Sequence, residues 1–205
     1  PNVAKYWAMC EWFDETIGDL LAKVDALGLA DNTIVVYLHD NGWIQDPDSA
    51  NYAPKSKQSQ YDGGVRTPVL VRWPKKVKPA ESDALASSID LAPTLLTAAG
   101  IAPTRDMTGV NLLDPAAVAK RDAVFGEIFL HTAVDVSRVK PNLRYRWVVR
   151  GTWKLILPEA ANSPGQSAEL YDLTADPNEQ TNLAAKHPDK VAELTKALDG
   201  WWKPE

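Results

Sequence analysis

A single cysteine stands in 205 residues, so no internal disulfide can form and no thiolate cluster can hold zinc. Positive charge is also in deficit. The 22 Lys and Arg against 27 Asp and Glu leave a formal net charge of −5, opposite in sign to what phosphate neutralisation requires, which argues against nucleic-acid binding. No run approaches the ~20 consecutive apolar residues that span a bilayer. There is no initiator Met, and no charged-then-apolar leader precedes the first helical pattern, so the chain reads as a piece of a longer protein or a processed product. What is present is ordinary: 45% apolar and 24% charged residues, which excludes a mainly disordered chain and suits one large domain or one and a half small ones.

Tyr6, Cys10, Phe13, Ile17, Leu20, Val24 and Leu27 step by fours and threes, the spacing of a buried helical stripe. Cys10 on that stripe is expected in the core. Gly28 ends the helix, and Thr33–Leu38, apolar on both faces, is expected as a strand buried between helices. Helix, turn and buried strand make an α/β arrangement. Residues 39–64 are polar and rich in turn formers, a length that is usually functional or disordered. Val65–Trp73 returns to strand character, and Ile89–Ala99 predicts a short helix closed by Gly100, with Pro93 in its first turn. Pro103 to Pro115 reads as a polar connector. A boundary near Ala119 divides residues 1–118 from 119–205, where Val124–Phe129, Tyr145–Arg150, Trp153–Leu157 and Glu169–Leu173 predict an antiparallel four-stranded sheet. Gly151-Thr152 supplies a tight turn, and Pro188–Trp202 predicts a helix that closes the sheet. Most of the eight tryptophans are expected to pack in the core, with Trp43 and Trp147 as candidates to stack on a sugar or aryl ring.

Strand 33–38 runs into His39-Asp40-Asn41-Gly42, and in open α/β sheets ligands bind at the carboxyl ends of strands. Asp40 and Asn41 offer adjacent hard oxygen donors, a set that suits Ca²⁺ or Mg²⁺ rather than a soft metal. Alone, Asp-Asn-Gly is also a common turn. Lys57, in the polar loop before Tyr61-Asp62-Gly63-Gly64-Val65-Arg66, could hold a compact positive charge against an anionic substrate, or could simply be solvated. Arg66 is expected to brace the turn or pair with Asp62. His39 could line the site or move a proton, depending on the strand pleat. His131 could reach substrate from the end of a strand, and His187 is expected at the surface.

Taken in order, these pieces resemble the sulfatase family of the alkaline-phosphatase-like superfamily. The resemblance rests on Tyr6-Trp7-Ala8-Met9, Asn32-Thr33-Ile34-Val35-Val36-Tyr37, Asp40-Asn41-Gly42, Lys57 before Tyr61-Asp62-Gly63-Gly64-Val65-Arg66, and Asp90-Leu91-Ala92-Pro93-Thr94. It continues through Lys154-Leu155-Ile156, Glu169-Leu170-Tyr171-Asp172-Leu173, Asp176-Pro177, Glu179 and Asn182-Leu183-Ala184. It implies an α/β fold: part of a mixed sheet flanked by helices, then the small antiparallel sheet and C-terminal helix. It makes Asp40 and Asn41 ligands of Ca²⁺, with Mg²⁺ as the alternative, and Lys57 a contact to the sulfate of a small-molecule or carbohydrate ester. Its nucleophile is a formylglycine made in a Cys/Ser-x-Pro/Ala-x-Arg motif, which this chain lacks; Cys10 is followed by Glu11-Trp12-Phe13-Asp14. The resemblance therefore covers the C-terminal half of a sulfatase, with the formylglycine, further metal ligands and catalytic histidine expected in a missing N-terminal half. It implies no activity for this chain alone and favours a periplasmic or extracellular site of action. A phosphoester or phosphonate hydrolase of the same superfamily, or a non-catalytic module, are the competing readings.

Overall fold

A computed structural model describes all of residues 1–205 and divides them into two compact units, Pro1–Glu81 and Ser82–Glu205. In the first, helix α1 (Asn2–Ala26) starts four residues before the apolar stripe. It stops where Gly28 takes up φ 68°, a left-handed conformation that costs glycine no Cβ clash. Strand β1 (Val35–Leu38) pairs antiparallel with β2 (Val69–Arg72) in a two-stranded sheet, Val35 opposite Arg72. Asp62–Val65 form a helical turn, α2, at the end of the polar segment; of the run Val65–Trp73 expected as strand, only Val69–Arg72 is strand, beginning after Pro68.

Two expectations about burial fail here. No residue of α1 is buried, Cys10 is exposed, and Trp12 on the same helix is 72% exposed. Strand β1 is half-buried rather than enclosed. Exposure here is exposure within residues 1–205. Two short strands shield one line of a 25-residue helix, with Phe13 and Tyr37 meeting at 5.9 Å between ring centroids, and leave the rest of its apolar surface uncovered. Nor do the tryptophans fill the core: Trp7, Trp12 and Trp201 are exposed and the other five half-buried.

The second unit is better enclosed. A 3₁₀ turn (Ser88–Asp90) leads into α3 (Leu91–Ala98), and Gly100 (φ 77°) closes it. Asp90 is fully buried and fully used. It accepts from Ser87 N–H at 2.8 Å and Val110 N–H at 2.8 Å, and it takes both arms of the Arg121 guanidinium. Thr94 donates to the Asp90 carbonyl at 2.6 Å and accepts from Leu112 N–H at 2.8 Å. These bonds tie α3 to residues 110–121 within the second compact unit. Within the expected connector, Asp114 caps a short helix, α4 (Pro115–Ala119), by accepting from Ala116 and Ala117 N–H.

Strands β3 (Ala123–Phe129), β4 (Leu143–Arg150), β5 (Trp153–Pro158) and β6 (Glu169–Asp172) form an antiparallel meander in chain order. Gly151 (φ 57°) turns β4 into β5. Helix α5 (Pro188–Trp201) buries Leu194 and Leu198 against Val148, Leu155 and Leu170 of the sheet, which is the hydrophobic core. These elements match the expected ones to within two residues at each end. On the opposite face Lys154, fully buried, pairs at 2.9 Å with Glu179, 1% exposed, and lies over the Trp147 ring at 5.6 Å.

Removing one partner of such a pair strands the other charge in a low-dielectric interior. Lys154→Met should therefore lower unfolding free energy by about 3–5 kcal/mol in urea titration, and adding Glu179→Leu should recover much of the loss.

Candidate functional site: the β1 corner and the 55–64 turn

Beyond Leu38 the chain passes through His39-Asp40-Asn41-Gly42 into the polar loop, and the glycines determine how that loop folds. Gly42 N–H donates to the Gly64 carbonyl at 2.8 Å. A methyl group on Gly42 would stand 2.8 Å from the Gly63 carbonyl carbon and closer still to its oxygen. One on Gly63 would stand 2.7 Å from Ile44 Cδ1 and collide with the Lys55 carbonyl; one on Gly64 would meet both the backbone oxygen and Oγ of Ser59 at 2.7 Å. Three stretches of backbone thus touch with no side chain between them. Ile44 N–H donates to the buried Ser56 hydroxyl at 2.6 Å, and Ala53 N–H to the Ile44 carbonyl at 2.8 Å. The Gln45 amide caps the carbonyls of Asp46, Ser49 and Asn51, each at 2.9 Å. The long polar segment is a hydrogen-bonded knot.

That knot sets out the candidate residues. Asp40 is exposed, with neither a hydrogen bond nor an ion pair. Asn41 Nδ2 donates to the Gly42 carbonyl at 2.9 Å, which leaves Oδ1 as the free acceptor. Lys57 is half-buried, has no carboxylate partner, and its Nζ stands 5.9 Å from the centroid of the Trp43 ring. His39 goes elsewhere: its Nε2 bonds the Tyr37 hydroxyl, so it shares the strand face that meets Phe13 of α1. Arg66 lies 3.7 Å from Asp62 and braces the turn, as expected. His131 and His187 are exposed in the second unit, and the Trp147 ring lies across Gly126 within the sheet. Sequence reasoning missed the anchoring role of Ser56; a small polar residue in a polar loop carries no signal of its burial.

The chemistry on offer is an exposed carboxylate and the free amide oxygen of a half-buried asparagine, with an ammonium that no carboxylate neutralises on the adjoining turn. The donor types fit a hard cation, but no group of three or more His, Cys, Asp or Glu side chains converges anywhere in the chain, whereas Ca²⁺ takes about six to eight oxygens.

Residues 53–201 match the family described as N-sulphoglucosamine sulphohydrolase, C-terminal, and residues 1–101 match the sulfatase family. The chain belongs to the sulfatase family. Among curated relatives it is 31% identical over 209 residues to an N-acetylgalactosamine-6-O-sulfatase of Bacteroides thetaiotaomicron, covering 91% of this chain and 39% of that protein. It is 28% identical to arylsulfatase K of Xenopus laevis, covering 95% of this chain and 36% of that one. A solved structure in complex with its substrate, D-glucosamine-2-N,6-O-disulfate, superposes with a TM-score of 0.68 at 27% identity, covering 91% of this chain and 37% of that one. The chain thus spans somewhat over a third of the length of these sulfatases. No helix is long and apolar enough to cross a membrane.

The glycine contacts of this sulfatase chain yield a paired test. Gly64→Ala must push backbone apart and should cost about 1–3 kcal/mol as an overpacked site. Gly18→Ala, in mid-helix with open space around it, should add about 0.5–1 kcal/mol. Urea midpoints of the two variants should move in opposite directions.

Proposed function

We propose that this chain is the C-terminal part of a sulfuric ester hydrolase acting on sulfated carbohydrates, and that Asp40, Asn41 and Lys57 are its share of the active site. On this reading residues 1–118 belong to the catalytic α/β domain and 119–205 to the C-terminal subdomain. The observation that carries the proposal is the contact of Gly42 with Gly63 and Gly64, which ties the Asp40-Asn41 corner to the turn bearing Lys57. Kinship with a 6-O-sulfatase of an amino sugar supports the substrate class.

The physical demand is charge. Hydrolysis of a sulfate monoester breaks a bond to sulfur that is shielded by anionic oxygens, and an attacking oxygen is repelled until those charges are balanced. Asp40 and Asn41 would hold a divalent cation, Ca²⁺ or Mg²⁺, which when bound supplies Lewis-acid neutralisation. Lys57 offers its ammonium to a sulfuryl oxygen, where charge builds as the ester bond breaks. Because no carboxylate takes that ammonium, its field is available to the substrate. The remaining metal ligands and the formylglycine nucleophile would come from residues outside this chain.

The deciding experiment is on Lys57 in the complete protein. Lys57→Ala should depress turnover of a sulfated amino sugar about a hundredfold, and should lower stability by no more than about 1 kcal/mol, the scale of the partly exposed cation–π contact it removes. Lys57→Arg should restore only part of the rate, because a planar fork does not replace a point charge. Unchanged turnover in Lys57→Ala refutes the assignment. The 205-residue chain by itself should hydrolyse no aryl sulfate and should bind Ca²⁺ weakly. Tight binding that survives both Asp40→Ala and Asn41→Ala would remove those residues from the site.

A further inference from the structure

We propose that Trp43 is a positioning residue for Lys57, holding its ammonium by the indole face where a sulfuryl oxygen is received; this rests on the reading of Lys57 as the sulfate contact. The Lys57 Nζ lies 5.9 Å from the Trp43 ring centroid, within the reach of a cation–π attraction. The choice of partner matters physically. A carboxylate would also orient the lysine but would cancel the charge an anionic substrate needs. An aromatic face orients the ammonium and leaves its field available.

Both ends of this contact are themselves fixed. The edge of Tyr52 meets the Trp43 ring at 5.4 Å and 69°, and Trp43 Nε1 donates to Gln45 Oε1 at 3.4 Å. The Tyr52 hydroxyl donates to Gln58 Oε1 at 2.9 Å, and Gln58 adjoins Lys57. A circuit therefore runs from Trp43 through Tyr52 and Gln58 to Lys57 and back across the cation–π contact. The backbone beneath it is bent on purpose: Lys55 and Gln58 take φ values of 58° and 63°, left-handed conformations that side chains rarely adopt and that persist where surrounding structure over-determines them. Between them Ser56 is pinned by Ile44 N–H, and the Ser59 hydroxyl donates to the Ser56 carbonyl at 2.6 Å. A lysine on a free loop would lose much rotamer freedom on meeting substrate. Here the turn and the indole have removed part of that freedom beforehand.

The test uses the 205-residue chain and inorganic sulfate. Side-chain NMR of the lysines should show Lys57 Hε resonances shifted upfield by the indole ring current, restored to ordinary values in Trp43→Leu and partly retained in Trp43→Phe. Sulfate titration should give a dissociation constant weakened about tenfold in Trp43→Leu, within the range of a partly exposed cation–π contact, and less in Trp43→Phe. In a Lys57→Ala background, Trp43→Leu should change sulfate affinity no further. Absence of the ring-current shift at Lys57 overturns the proposal, as does an equal loss from Trp43→Leu with and without Lys57. If the shift is present yet Lys57→Ala leaves sulfate affinity unchanged, the contact stands and the sulfate reading of Lys57 is what fails.

Discussion

Backbone lies directly on backbone where Gly42 meets Gly63 and Gly64, and where those two glycines meet Lys55, Ser56 and Ser59. Segments far apart in the chain are held at a separation that a single methyl group would prevent. Glycine at these positions costs conformational entropy on folding. The hydrogen bonds of Gly42 to Gly64 and of Ile44 to Ser56 help to offset it. An exposed carboxylate and an amide oxygen at the end of β1, and one ammonium on a turn with left-handed residues, are held near one another by that contact. Without it, Asp40 and Lys57 would be solvated residues on a long loop.

The two compact units differ in what they contain. Residues 82–205 contain the enclosed apolar core, the buried Lys154–Glu179 pair and the fully satisfied Asp90. Residues 1–81 contain the candidate site, a two-stranded sheet and a long helix with none of its residues buried. Buried charges of the first kind contribute to stability only while intact, since a broken pair is worse than none. Lys57 follows the opposite logic: its charge is left unneutralised, which does little for folding and is what an anionic substrate requires.

The antiparallel sheet and its closing helix were legible in the chain because their determinants are local. β-branched and aromatic runs mark β4 and β5, Gly151 marks the turn between them, and Val191, Leu194 and Leu198 repeat at helical spacing. The ordered motifs from Tyr6 to Ala184 likewise identified the sulfatase family, since residue identities are legible where contacts cannot be seen. Periodicity misjudged α1, because an apolar stripe says which face of a helix prefers cover and not whether anything covers it. Val65 looked like strand, yet its place after two closely packed glycines made it the end of a helical turn.

By itself, then, the sequence determined the class of fold, the family and the residue types at the β1 corner, all of which depend on composition, spacing and identity. Tertiary structure decided which of those residues meet. It set Trp43 under the Lys57 ammonium and left Cys10 in the open. The His39–Tyr37 contact follows from the strand pleat, two residues apart, whereas the Trp43–Lys57 approach and the exposure of α1 depend on how separate segments pack, which no local preference sets.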